Sequence, residues 1–287
     1  MQTKVNKKNN FRANFSIFQE LMLLINKSFF REKRGPIFIF VIPTIFLIIF
    51  YYVFNIYPGN SNGIAIRTLT LFIYMLLPTL SIIVSLSTTL VDWKKSVFLK
   101  RIDATGIKKG TFLFLLLIYY LSLGLIAVFF EMIIAIIIGG HNFIEALKAT
   151  NWGYLLLGII AAILLSVTIA FLIGGIFSNE GITNSVAIII YILTILLSGV
   201  LVYPPLISDT LGVRVITYFI PHKYPIFLIL YAITGTSWEA QFNTGTGYST
   251  ELYHYFTASW QPVLAIILFL SFFTFLAKFS FRWNVRR

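Results

Sequence analysis

The sequence predicts an all-α, polytopic membrane protein with six transmembrane helices. Its 287 residues are 58% hydrophobic and only 11% charged, with a mean hydropathy of +0.88, whereas soluble globular chains are about 25% charged. The apolar residues also cluster into runs of about 20, the length that crosses a hydrocarbon core of roughly 30 Å. A transmembrane barrel would instead show alternating segments of about ten residues. We therefore predict that 1–287 is a single membrane domain.

An amphipathic helix is predicted at 11–34, ahead of the first span. Its apolar residues recur at steps of three and four, which places them on one helix face, and basic residues lie among them. Such a helix, joined directly to a span, is expected to lie in the membrane interface. It either only anchors the chain or also contacts a partner protein. The apolar face consists of Phe11, Phe15, Phe18, Met22, Ile25 and Phe29.

Six apolar runs supply the spans. Pro43 and Pro78 lie inside the first two runs and predict kinks, which neighbouring helices tolerate in a membrane. Gly139 and Gly140 are expected to end the third run, with a short loop before the fourth. The predicted spans are 36–57, 66–90, 111–138, 154–177, 182–203 and 262–281.

The segment 204–259 lies between the fifth and sixth spans and is not a clean span. Its first part, 206–233, is apolar but interrupted by charged residues and prolines. We predict two short helices, broken near Pro221, that dip partly into the membrane and return. Such a re-entrant element must be covered by protein or line an aqueous cavity, because lipid cannot satisfy free backbone groups. The polar remainder, 234–259, is predicted to be a loop outside the bilayer.

The basic residues predict the orientation. With six spans, 18 of the 22 lysines and arginines lie on the side of the two termini and the 92–109 loop. The positive-inside rule then places both termini and that loop in the cytoplasm and 204–259 outside the cell. This distribution also explains the net charge of +12 without a nucleic acid partner. The richness in Ile, Phe, Asn and Lys suggests a bacterial protein of the cell membrane.

The 92–109 loop is predicted to contain a short helix between Asp92 and Gly106. Asp92 can act as N-cap by accepting hydrogen bonds from free backbone N–H groups, and Gly106 can adopt the left-handed conformation that ends a helix. The helix is too short and too charged to cross a bilayer. It is either a solvated connection or a docking element for a soluble partner, and its aromatic residues favour docking.

Few residues could carry chemistry. The chain has no cysteine, which excludes thiolate chemistry, and no Gly-rich phosphate loop, so it is not expected to hydrolyse ATP itself. Glu131 is the one charged residue well inside a predicted span, where a charge costs about 2.5–3.5 kcal/mol. It either contacts a cation or proton on a substrate path or is a protonated or hydrogen-bonded residue that fixes helix packing. The packing role is slightly favoured.

Four features resemble the membrane domain, or permease, of ABC exporters of the type-2 family. The amphipathic helix before the first span is one of them. The others are KKSVFLKRIDATGIKKG at Lys94–Gly110, LSGVLVYPP at Leu197–Pro205 with FIPHKYPIFLILYAITG at Phe219–Gly235, and the basic end FRWNVRR at Phe281–Arg287. The resemblance covers nearly the whole chain, although Gly106 stands where many members have proline.

The resemblance implies a transport subunit without catalytic, cofactor or metal residues of its own. Two such membrane domains, identical or related, would pair in the lipid bilayer with two cytoplasmic ABC ATPase subunits, which bind ATP and magnesium. In the family, the segment between spans two and three is a coupling helix that enters a groove on the ATPase. Carried onto this chain, the contact candidates are Trp93, Lys94, Val97, Phe98, Lys100, Arg101 and Asp103, and the physics agrees because aromatic and arginine residues commonly anchor interfaces.

Several functions remain possible. Export of an antimicrobial peptide or drug is favoured, and export of a lipid-linked glycan is an alternative within the same family. A secondary transporter driven by ions would need no ATPase, but it would be expected to bury several ionisable groups and to show internal repeats. The sequence shows one such group, Glu131, and no obvious repeat.

Overall fold

The computed structural model describes residues 7–54, 60–61, 64–201, 211–234, 258 and 260–281. Side chains are described from residue 18 onward, with gaps at 54–67 and 211–214. Most of the predicted outer loop 234–259 and all but the first residue of the basic end Phe281–Arg287 lie outside this part of the chain.

The described residues are almost entirely helical. A minimal antiparallel hairpin between β1 (Asn60–Ser61) and β2 (Ile64–Ala65) is the only pairing of strands among them. The helices are α1 (Lys7–Arg31), α2 (Arg34–Pro36), the π-helix π1 (Ile37–Val41), α3 (Ile42–Phe54), α4 (Ile66–Tyr74), α5 (Leu77–Lys95), α6 (Val97–Ala104), α7 (Lys109–Ala149), α8 (Trp152–Ile176), α9 (Glu180–Leu197), α10 (Leu211–Tyr218), α11 (Lys223–Thr234) and α12 (Trp260–Ser280).

Six helical segments in the described part are long and apolar enough to cross a membrane, which confirms the predicted fold class. They match the six predicted spans within a few residues at most ends, but the third continues about ten residues beyond its predicted end. The segments are Arg34–Val53, Thr68–Lys95, Lys109–Ala149, Trp152–Ile176, Glu180–Leu197 and Trp260–Ser280.

The second span, formed by α4 and α5, lies at the centre of the bundle. Its apolar stretch is buried throughout, whereas only 17%, 28% and 11% of the apolar stretches of the first, fifth and sixth spans are buried. α5 packs mainly against α8 and α9. Small hydroxyl residues line it and let the neighbouring helices approach closely. Two of their hydroxyls bond to the helix itself: Ser81 donates to the Leu77 carbonyl at 3.1 Å and Thr88 donates to the Val84 carbonyl at 2.8 Å.

The helical hydrogen-bonding pattern changes near both prolines at which the sequence predicts kinks. α4 ends at Tyr74 and α5 begins at Leu77, with Pro78 in the first turn of α5, where its missing N–H is harmless. In the first span, π1 precedes Pro43, and the Ile42 N–H bonds to the Ile37 carbonyl five residues back. The span therefore changes its hydrogen-bonding pattern just before the residue that cannot donate.

The expected loop after Gly139 and Gly140 is wrong, because the chain stays helical from there to Ala149. Gly140 has φ of 56° and ψ of −141°, a conformation that redirects the helix axis and that residues with a Cβ rarely adopt. Beyond it, Phe143, Ala146 and Leu147 are buried at helical spacing. The third span thus carries a second helical segment past its kink.

The N-terminal helix and the α10–α11 pair both pack against the bundle. In α1, Ile25 and Phe29 are buried, and the Phe29 ring lies edge-on to Tyr119 of α7, with 6.2 Å between ring centroids. α10 and α11 are separated by a turn at Pro221, as predicted, and the His222 imidazole in that turn contacts the Ser166 hydroxyl of α8 at 2.8 Å. The positions of these elements relative to the membrane surface stay predictions.

Candidate functional site

α6 forms the short helix that the sequence predicts between the second and third spans, but its start differs. Asp92 is not the N-cap, because α5 continues through Lys95. Ser96 leaves the helical conformation instead, and its hydroxyl accepts a hydrogen bond from the Phe98 N–H at 3.2 Å. The predicted end is confirmed: Thr105 is the C-cap and Gly106 follows with φ of 77°.

α6 has one face that anchors it and one that no other described part of the chain covers. Leu99 and Ile102 are buried three residues apart and hold the helix against the bundle. The opposite face exposes Val97, which is 59% accessible, together with Lys100 and Arg101. α6 is thus held against the bundle by its inner face, and its outer face combines an aliphatic side chain with two positive charges.

Trp93 packs under α6 and is not part of its outer face. Its indole N–H donates to the Ser28 hydroxyl of α1 at 3.0 Å. Its ring is 4.8 Å from the Phe98 ring and 6.2 Å from the Phe112 ring of α7, measured between centroids. Only 3% of Trp93 is accessible. Phe98 is therefore half-buried, with its ring packed against Trp93.

Lys94 is buried as well, and it reaches the end of the fourth span. Its ammonium group donates to the Gly175 carbonyl at 3.0 Å and also to the Gly174 carbonyl. The Phe281 ring, just after α12, lies 5.4 Å from Lys94 Nζ. The last carbonyls of a helix lack partners within that helix, and the negative end of the helix dipole favours a cation there.

Asp92 faces a third direction, toward the starts of the first and fifth spans. It lies beside Glu180, the first residue of α9. The Glu180 carboxylate accepts a hydrogen bond from the Arg34 guanidinium at 2.6 Å. Near them, Thr89 donates to Glu32 at 3.3 Å. Burial raises the pKa of the Glu32 carboxyl, and the hydrogen bond from Thr89 partly opposes this effect.

Glu131 is completely buried in α7 and contacts the first span near its middle. One carboxyl oxygen lies 2.7 Å from the Thr44 hydroxyl, which is also 2.7 Å from the Phe40 carbonyl. A hydroxyl has a single proton to donate, so two full hydrogen bonds form together only if Glu131 supplies the second proton. The other Glu131 oxygen has no hydrogen-bond partner in the described part of the chain.

A family model described as "ABC-2 family transporter protein" matches residues 54–279, well over half of the chain. The chain belongs to the ABC-2 transporter family. It is a multi-pass permease subunit of an ABC transporter. A search of curated proteins and a search of solved structures returned no match to this permease.

The structure divides the seven predicted contact residues of the permease into two groups. Trp93 and Lys94 contact other parts of the same chain and have almost no accessible surface. They are therefore not free to meet a partner in this conformation. The five residues of α6 remain available, Phe98 only in part: Val97, Phe98, Lys100, Arg101 and Asp103.

Sequence reasoning did not identify several residues that build the permease site. Ser96 had a readable signal, because serine is among the best N-cap residues. Leu99 and Ile102 also had one, since apolar residues three apart on a charged helix mark its inner face. Gly174 and Thr44 had none, because their roles depend on which helices become neighbours.

Proposed function

We infer that this permease exports its substrate with energy from ATP hydrolysed by a separate cytoplasmic ABC ATPase. In this proposal the ATPase docks on the outer face of α6. The fold and family membership supply the transport subunit. The observation that carries the docking step is α6 itself, a capped helix fixed to the bundle by Leu99 and Ile102 while Val97, Lys100 and Arg101 face outward.

The composition of that outer face suits a protein partner. Arginine contributes strongly to many interfaces, and a half-buried aromatic ring such as Phe98 supplies apolar contact area. The positive charges of Lys100 and Arg101 would attract acidic residues at the edge of a groove and speed association. ATP and magnesium would then bind to the ATPase, and its closure would move α6 and drive alternation between inward- and outward-facing states.

The complete transporter is proposed to contain an ATPase dimer and a second membrane domain, either a second copy or a related chain. The exposed apolar faces of the first and fifth spans leave room for such a partner next to lipid. An antimicrobial peptide or a drug remains the favoured substrate class. A lipid-linked glycan is the alternative, and vesicle transport assays with each class would separate the two.

The docking proposal is tested by purifying tagged permease from its native membrane in mild detergent and identifying the proteins bound to it. We expect a stoichiometric ABC ATPase with the unmodified chain. The double variant V97D/R101E should lose the ATPase, because it places two negative charges on the outer face of α6. These positions avoid Phe98, whose replacement would also disturb its packing against Trp93.

A matched control is K108E, which reverses a charge in the same loop at an exposed residue outside α6. This variant should keep the ATPase. Undiminished ATPase binding by V97D/R101E would overturn the docking role of α6. A permease that purifies without any ATPase, yet moves substrate in response to an ion gradient, would instead support the secondary transporter.

A further inference from the structure

Three consecutive residues at the end of α5 contact nearly every other part of the cytoplasmic side predicted for this permease. Successive helix residues point about 100° apart, so Asp92, Trp93 and Lys94 leave the helix in three directions. Asp92 faces the starts of the first and fifth spans, and Trp93 packs on α1, α6 and the third span. Lys94 reaches the ends of the fourth and sixth spans.

We propose that Lys94 is the positioning residue that couples movement of α6 to the fourth and sixth spans. This inference rests on the proposed function, since it assumes that an ATPase moves α6. α6 follows α5 after a single residue, Ser96, so displacement of α6 acts directly on the last turn of α5. Lys94 connects that turn to α8 by two hydrogen bonds to backbone carbonyls.

The surroundings of Lys94 favour a firm connection. A Cβ atom built on Gly174 would lie 3.0 Å from Leu90 Cβ, and one built on Gly175 would lie 2.5 Å from Ser280 Oγ. The end of α8 is therefore in close contact with both α5 and α12, at a distance that glycine permits. Lys94 is only 6% accessible, so water does not compete well for its ammonium group.

The hydrogen bonds also explain why a lysine is tolerated in this buried place. The Phe177 N–H already bonds to the Ile173 carbonyl at 3.1 Å, and without Lys94 the next two carbonyls of α8 would lack partners among the residues that the structure describes. Burying an unpaired carbonyl is costly, and burying an unpaired charge costs more. Each group satisfies the other, so separating α5 from α8 at this point is strongly resisted.

The test measures whether α6 and the end of α8 move together. The chain has no cysteine, so the substitutions A104C and I176C place one spin label at the exposed end of α6 and another at the exposed end of α8. Their separation is measured by pulsed electron paramagnetic resonance. The sample is the permease–ATPase complex, without nucleotide and after trapping with ATP and vanadate.

Four versions of the labelled permease are compared: unmodified, K94M, K94R and K95M. Lys95 is the matched control, because it is an adjacent but exposed lysine. We expect the label distance to stay the same in both nucleotide states for the unmodified chain and K95M. In K94M the distance should change on trapping, because α6 moves without α8, and K94R should restore the constant distance by donating to the same carbonyls. A lysine that only stabilised the fold would not make the distance depend on nucleotide.

The outcomes separate the two proposals. With the ATPase bound, two results would show that Lys94 does not couple α6 to α8. One is a label distance in K94M that is the same with and without trapped nucleotide. The other is a label distance in the unmodified chain that changes on trapping. If no ATPase purifies with the unmodified permease, the proposed function fails and this inference fails with it.

Discussion

The contact between Glu131 and Thr44 gives the sharpest prediction for the membrane interior. Thr44 belongs to the first span and Glu131 to the third, and their 2.7 Å hydrogen bond joins the two. We predict that T44V destabilises the permease. Valine has nearly the shape of threonine but cannot bond to the carboxyl group. Packing is therefore kept, while Glu131 loses its one hydrogen-bond partner in the described part of the chain.

The size of the effect follows from this loss. Hydrogen bonds between transmembrane helices average about 0.6 kcal/mol and reach about 1.7 kcal/mol. Because T44V strands a fully buried carboxyl group, we expect a cost near the upper end, about 1.5 kcal/mol. At roughly 2–4 °C per kcal/mol for a chain of comparable size, the melting temperature in detergent should fall by about 3–6 °C.

The matched variants are E131L and the double variant T44V/E131L. E131L leaves Thr44 bonded to the Phe40 carbonyl, so its cost should be small. The double variant should melt like E131L, because replacing both partners by apolar groups leaves nothing unsatisfied. If T44V melts like the unmodified permease, or if adding E131L does not restore the melting temperature, the pairing argument is refuted.

A second measurement addresses the proton. If Glu131 is the second donor, the infrared spectrum of the unmodified permease at neutral pH should contain a carbonyl band of a protonated carboxylic acid that E131Q lacks. Transport by E131Q then distinguishes the two roles considered for Glu131. Loss of transport with normal melting would support a substrate path, and unchanged transport would support helix packing.

Two further predictions concern local structure. S96A removes the N-cap of α6 and should cost about 1 kcal/mol of stability, whereas S96D should cost little because aspartate caps equally well. Thermal melting and the protease sensitivity of the 92–109 loop should differ between the two variants. If the two behave equally, the capping role of Ser96 is contradicted. G158A should destabilise the permease by about 1–3 kcal/mol, because the new Cβ would lie 2.6 Å from Ile229 Cγ1 and 3.0 Å from the Pro225 carbonyl oxygen. G110A, which has open space around its Cβ position, should not destabilise the permease. If the two variants melt at similar temperatures, the close packing of α8 on α11 is contradicted.

The sequence was sufficient to predict the spans because lipid imposes a strong constraint on each of them separately. About 20 apolar residues are needed whatever their neighbours are, so the six spans emerge from hydropathy alone. Pro78 and Gly106 were also predictable, since each acts on its own backbone. The glycine pair indicates a helix end, so the sequence does not predict the helix after Gly140, although Phe143 and Leu147 already show helical spacing.

The contact residues were harder because their roles depend on neighbours far away in the chain. Trp93 and Lys94 look like docking residues in sequence, since they lie in a basic loop with aromatic side chains. Whether each faces a partner or the bundle depends on where Ser28 and Gly174 lie, and no local pattern records that. The same holds for Thr44, which is an ordinary polar residue of the first span until Glu131 is placed opposite it.

The basic residues near α6 are either buried, as Lys94 is, or exposed, as Lys100 and Arg101 are. This difference has a physical cause, and it allows docking of the ATPase to be separated from the coupling of α6 to α8. A lysine can be buried where a helix ends, because free carbonyls there replace water, and Lys94 meets this condition at the end of α8. Lys100 and Arg101 lie in the middle and last turn of an exposed helix face, where no such carbonyls are offered, and they stay in solvent. Substitutions on the outer face of α6 should therefore remove ATPase binding without loosening α8. Substitution of Lys94 should loosen α8 while the ATPase stays bound, so the two steps of the proposed mechanism can fail independently.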